Sequence, residues 1–206
     1  MILDAGPGHR FDLTLRALVL ARPASAPPAG AAGRPDLLLT RADTTAGHGP
    51  VPLVRELVGP EAVWALAAGS APPGIVLVRP GNDVVNAATA QTFARAVADA
   101  AGRAGRDAAT VVIDLGLDDA PDAADAWARL EATTRVVGLH HPVAVAVDGP
   151  AGSPVAVVVA ALAAGARVLR VVPGGSDVRT VRRAADVAEA LLVERAGADG
   201  PTAVTA

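Results

Sequence analysis

Two glycine-rich loops offer the plainest chemistry in this sequence. Asp148-Gly149-Pro150-Ala151-Gly152-Ser153 and Pro173-Gly174-Gly175-Ser176-Asp177 each follow an apolar run and precede a helical pattern. Backbone N–H groups at a helix N-terminus, aided by the helix dipole, attract an anion. Gly174, Gly175 and Ser176 are therefore candidate phosphate-binding residues. Arg170, Arg179 and Arg182 add positive charge nearby, and Asp148 and Asp177 oppose it. The competing explanation is ordinary turn chemistry, with Ser153 or Asp177 capping the helices.

Other chemistries find little support. His140 and His141 are adjacent, so on a regular element they point apart, and His9 and His48 stand alone. No metal site is expected. The chain has no cysteine, which removes disulfides and thiolate ligands. No G-x-S-x-G elbow and no Walker sequence occur. The Arg179–Arg183 cluster reads as a solvated helix face with Asp186 as its partner at helical spacing.

Positioning those loops falls to a repeat of apolar runs. They lie at Ala17–Ala21, Leu37–Thr40, Ile75–Val78, Thr110–Ile113, Val143–Val147 and Arg167–Val172. Near-continuous apolar runs fit strands buried on both faces, as in a parallel sheet. Helical stripes follow the later ones. They are Ala90, Phe93, Val97 and Ala101, then Ala123, Trp127, Leu130, Thr134 and Val137, closed by Gly138. Val155 to Ala164 is apolar nearly all round, which predicts a buried helix. The last stripe is Val178, Val181, Ala185, Ala188 and Leu192. Strand and helix alternating every ~30 residues is the signature of βαβ units with right-handed crossovers.

The N-terminal third is less regular. Met1–Leu3 and Arg10–Thr14 are placed to form a small hairpin. Residues 22–35, rich in Pro, Ala and Gly, read as a flexible loop. One helix fits within Val51–Ala68, and Asn82-Asp83-Val84 reads as a helix N-cap. The fold class expected is α/β, a parallel sheet of about six strands in one domain over 1–196. Residues 197–206 form a frayed tail. An open doubly wound sheet is the alternative to a barrel, since six strands are two short of eight.

Composition narrows the function classes. At 51% hydrophobic residues the chain is not disordered throughout. A net charge of -3 with no basic stripe argues against nucleic acid, and 2% aromatics offer no stacking platform. No run reaches the ~20 apolar residues of a membrane helix. The start, Met1-Ile2-Leu3-Asp4, lacks a leader pattern, so a cytoplasmic location is expected.

The order of pieces from Val63 to Leu192 resembles the dihydropteroate synthases. In that family a "VLMH" strand and long helix lead to "LDPG", then "LG-PVLVG-SRKSF", then "RVHDV" before a last helix. Here the pieces are Gly74–Arg79, Val84–Arg106, Val111–Leu117, Val137–Val147, Gly165–Val172 and Asp177–Leu192. Phe11–Val19 is similar to the family's lead-in. The resemblance implies a TIM-barrel-derived fold. It places Asp114 where the family's Asp grips the pterin ring, through two parallel N–H bonds from the 2-amino-pyrimidinone edge. Arg170 matches the Arg of "RVHDV", to hold a phosphate or stack on a ring. Their structural alternatives are a cap for Asp114 and an ion pair of Arg170 with Asp114 or Asp148.

Several family motifs are absent. Asp148-Gly149-Pro150 stands where the family's lysine belongs, and the sequence has no lysine. Val172 to Ser176 replaces the "RVHD" histidine. Ala21 to Ser25 replaces "N-x-TPDSF". Two middle strand–helix units, which supply another Asp and an Asn to the pterin pocket, find no counterpart. The resemblance thus implies a folate-related protein with impaired synthase chemistry, no assigned catalytic residue, and Mg²⁺ only for residual activity. Its ligands would be a pterin or a phosphate-bearing small molecule. Its protein partner would be a second copy or a true synthase. Two other functions stay open: a pseudoenzyme, and an unrelated phosphate-ligand-binding α/β protein.

Overall fold

A computed structural model describes residues 1–5, 9–14, 16–22, 35–40, 51–81, 84–115, 122–138, 140–147 and 154–198. The expected hairpin opens the chain. β1 (Ile2–Asp4) and β2 (Arg10–Asp12) pair antiparallel, Leu3 opposite Phe11. Seven parallel strands follow: β3 (Leu18–Ala21), β4 (Leu37–Thr40), β5 (Leu53–Val58), β6 (Ile75–Arg79), β7 (Val111–Asp114), β8 (Val143–Val147) and β9 (Val168–Val171). They close into a barrel in chain order, with β9 pairing back onto β3. The sheet is therefore closed rather than open, with seven strands where about six were expected and a full barrel has eight.

The additional strand is β5, which lies where only a helix was expected. Leu53–Val58 reads LVRELV, and its two charges disguise a strand. In the sheet, Val54 and Glu56 turn inward and are buried, and Leu53, Arg55 and Leu57 are only half-buried. The expected helix is real but shorter: α1 (Pro60–Ala67). Gly59 joins β5 to α1 at φ 80°, where a residue with a Cβ is strained. The remaining helices are α2 (Ala87–Arg103), α3 (Ala123–Val137), α4 (Pro154–Ala163) and α5 (Val178–Ala198). Each crosses from one strand to the next or, for α5, follows β9.

Strand alternation creates two cores. Leu18, Leu20, Leu37, Leu39, Val54, Ile75, Leu77, Val112, Ala144 and Val168 fill the barrel interior, and Leu3 and Leu13 of the hairpin segment plug its foot. Burying each such leucine contributes ~1.5–3 kcal/mol. The outward residues, among them Val19, Val76, Ile113, Val145 and Leu169, pack against the helices. The stripes of α2 and α5 bury much as expected. On α3 the buried face is rotated, taking in Ala126, Arg129, Leu130, Thr133 and Val137, with Trp127 only partly covered.

Three further expectations change. α2 is capped by Asn86, whose side chain accepts from Thr89 N at 3.0 Å while Thr89 Oγ1 accepts from Asn86 N at 3.1 Å. Asn82 and Asp83 lie outside the described residues. α4 is not wholly buried: Val155 is 50% exposed, because a barrel helix covers the sheet with one face only. Arg182 is not on a solvated face. It pairs with Asp36 and donates to Ala17 O at 3.0 Å, tying α5 to the β3 edge. Burial and nearby Arg16 pull its pKa down to about 10, which leaves it charged at neutral pH for that pairing. Most of the expected loop at 22–35 and the tail beyond Ala198 lie outside the described residues.

Candidate functional site

Parallel barrels gather their functional groups at the C-terminal ends of the strands, because every strand delivers its last side chains to that one face. At this mouth the inward positions change from aliphatic to charged. β5 contributes Glu56 after Val54, β6 ends in Arg79 after Leu77, β7 ends in Asp114 after Val112, and β9 carries Arg170 after Val168. Arg22 joins from just past β3. Between β7 and β9 the inward residues of β8 are Ala144 and Ala146, which leave room for long side chains to meet.

The five groups form one chain of alternating charge. Arg22 Nη2 lies 3.0 Å from Glu56 Oε2, and Arg79 Nη1 lies 3.3 Å from Glu56 Oε1. Arg79 Nε lies 3.5 Å from Asp114 Oδ2, and Arg170 Nε donates to the same oxygen at 2.5 Å. Asp114 is 0% exposed and Arg170 is 3% exposed. Charges this deep persist only when paired, because unpaired burial costs several kcal/mol per ion. The Arg22 side chain, a third exposed, is the member most open to solvent.

Asp114 and Arg170 lie at one mouth, two strands apart, and they bond to each other, which is the ion pair given above as the structural alternative for Arg170. Glu56, Arg79 and Arg22 were missed. Their signal was present: Arg79 closes the run IVLVR and Glu56 alternates with Val54, both at the strand end that a parallel barrel exposes.

The loop after β9 leads into α5 at the same end. Gly174 takes φ 84° with nothing within 4 Å of a built Cβ, and Gly175 N donates to Val172 O at 3.1 Å. Asp177 accepts from Thr180 N at 2.7 Å, and that bond holds its carboxyl below the usual value. One of the orphan N–H groups of α5 is therefore satisfied by the chain's own carboxylate. Ser176 is half-buried. The other glycine loop, 148–153, lies outside the described residues. Among the described residues, no group of three His, Asp or Glu side chains is placed to hold a metal.

The barrel has close counterparts among solved structures. A dihydropteroate synthetase with its product aligns at TM-score 0.63 and 17% identity, over 94% of this chain and 99% of that one. The enzyme of Yersinia pestis, with a pterine-sulfa conjugate, aligns at 0.60 and 16%, over 94% and 100%. That of Xanthomonas albilineans, in complex with 7,8-dihydropteroate, aligns at 0.59 and 21%, over 98% and 100%. The fold is that of the dihydropteroate synthases. No family model matches the sequence, and no curated protein does. The likeness is therefore one of fold, at 16–21% identity in these three alignments. No described helix is long and apolar enough to cross a membrane.

Proposed function

We propose that this protein is a dihydropteroate-synthase-like protein related to folate biosynthesis that has lost synthase turnover. One observation carries the proposal: the Asp114 carboxylate, which the resemblance matches to the family's pterin-gripping Asp, is buried and bound by Arg170 and Arg79. A pterin edge offering two N–H donors would have to displace at least one guanidinium. The second carboxylate at the mouth, Glu56, is engaged in the same way by Arg22 and Arg79. Synthase chemistry needs a rigidly positioned pterin and stabilisation of a departing pyrophosphate. The sequence has no lysine to help hold the ring. Nor do the described residues suit Mg²⁺, since both mouth carboxylates already neutralise arginines. The test is complementation of a synthase-null strain at normal expression. We expect no growth without the end products of the pathway, and growth would overturn the proposal.

A second function, that of a non-catalytic partner, is favoured by a separate surface. α4 carries no charged residue, yet Val155 and Ala156 face solvent, and the adjacent α5 exposes Val187, Leu191 and Val193. Exposed aliphatics on two packed helices are what an interaction face offers a partner. We propose that this face pairs with a second copy or with a true synthase. Light scattering and co-purification test it, and a strict monomer that captures no synthase would refute it.

A further inference from the structure

At the foot of the barrel, opposite the charged mouth, two cavities of about 150 and 360 Å³ share Leu13, Thr14 and Arg167 as wall residues. The smaller lies against Leu162, Leu192 and Val193. The larger continues beneath the ends of α3 and α4, past Thr134 and Gly138.

Arg167 is held in a fixed orientation on this wall. Its Nη1 donates to Leu162 O at 3.1 Å and to Ala166 O at 2.7 Å. An Nη carries two protons, so those bonds fill it and set the plane of the guanidinium. Among the described residues, no hydrogen bond or ion pair engages its Nε or Nη2 protons. A cation on the last carbonyls of α4 accounts for the Nη1 bonds. It does not account for an open guanidinium edge beside a recess lined with leucine.

That pairing of features has a definite complement. Two oxygens of a carboxylate accept parallel bonds from a guanidinium edge, and an apolar body fits against Leu13, Leu162 and Leu192. Arg16 and Glu189 share the wall of the smaller cavity. Glu189 accepts from Ala17 N at 2.6 Å, and Asp36 is paired with Arg16 and Arg182. We infer that the barrel foot is a second binding site, which takes a small carboxylate with an apolar body on Arg167 and the leucine wall. It stands apart from the mouth and does not depend on the function proposed there.

The experiment titrates the full chain with 4-phenylbutyrate by calorimetry, with 4-phenylbutanol as the uncharged counterpart. The expected result is saturable one-to-one binding of the acid at ~1 mM or tighter. Arg167→Gln should weaken it about tenfold or more, as loss of a charge-assisted bidentate contact does. The alcohol should bind wild type no better than the acid binds that variant. Arg22→Gln, at the mouth, should leave the affinity unchanged. Absence of saturation, indifference to Arg167→Gln, or loss of binding in Arg22→Gln would each overturn the inference. Should Arg167→Gln fail to fold, Leu192→Trp decides: it fills the recess, so binding that survives it refutes the site.

Discussion

The buried charge chain at the barrel mouth makes a quantitative prediction for a double-mutant cycle on Asp114 and Arg170. Asp114→Leu removes one anion from between two guanidiniums, at 2.5 Å and 3.5 Å. Removing one partner of a buried pair costs ~3–5 kcal/mol, because the other charge stays desolvated. Arg170 loses its 2.5 Å partner while Arg79 still has Glu56 at 3.3 Å, so Asp114→Leu falls within that range, about 4 kcal/mol. Arg170→Met leaves Asp114 with Arg79 still within 3.5 Å, so it falls at the lower end, about 3 kcal/mol. The double variant Asp114→Leu/Arg170→Met leaves neither charge stranded, and Arg79 keeps Glu56 at 3.3 Å. Its cost should be about 2 kcal/mol or less, well below the sum of the singles, since apolar replacement of a buried pair is often near neutral. Urea unfolding followed by far-UV circular dichroism measures all three against wild type. Single costs under ~1 kcal/mol, or costs that add within ~0.5 kcal/mol, would refute a buried, coupled mouth.

Three further outcomes are open to measurement. His141 is buried and donates its Nδ1–H to Val111 O at 3.2 Å; burial, with neighbouring His140, holds its pKa below the ordinary 6.5. As pH falls through that value the unfolded chain takes up the proton first, so stability present above it should decline below it. His141→Gln should flatten this part of the urea-midpoint profile, and an unchanged slope would contradict it. Asn86→Ala removes the cap of α2 and should cost ~1 kcal/mol, lowering the melting temperature by about 2–4 °C in calorimetry. Val187→Glu with Leu191→Glu should abolish any self-association seen by light scattering and leave the circular dichroism spectrum unchanged. Association that survives would remove the α4–α5 face from consideration.

Much of the barrel was legible because a parallel strand buried on both faces must be apolar on both. β6 to β9 and their helices announce themselves by that rule, and the β1–β2 hairpin by its short apolar ends. β5 was hidden for the opposite reason. A strand that ends in a charged mouth carries charge inside, and Arg55-Glu56 reads as solvent-facing in one dimension. The same feature concealed Glu56 as a member of the site. Asp114 and Arg170 were picked out by the resemblance to the family's motifs, but their partners are set by barrel closure, which brings β5, β6, β7 and β9 to one rim. Arg182 shows the limit from the other side. Its helical spacing suits a solvated face, and only the β3 edge beside α5 turns it into a buried tie.

The most direct measurement is turnover by the purified full chain. It is supplied with a hydroxymethyl-dihydropterin pyrophosphate, p-aminobenzoate and Mg²⁺ at high protein concentration. With the mouth carboxylates held by Arg22, Arg79 and Arg170, no dihydropteroate should form above the protein-free rate. Protein-dependent product that disappears in Asp114→Asn would contradict the account, since it would put Asp114 at work on a substrate.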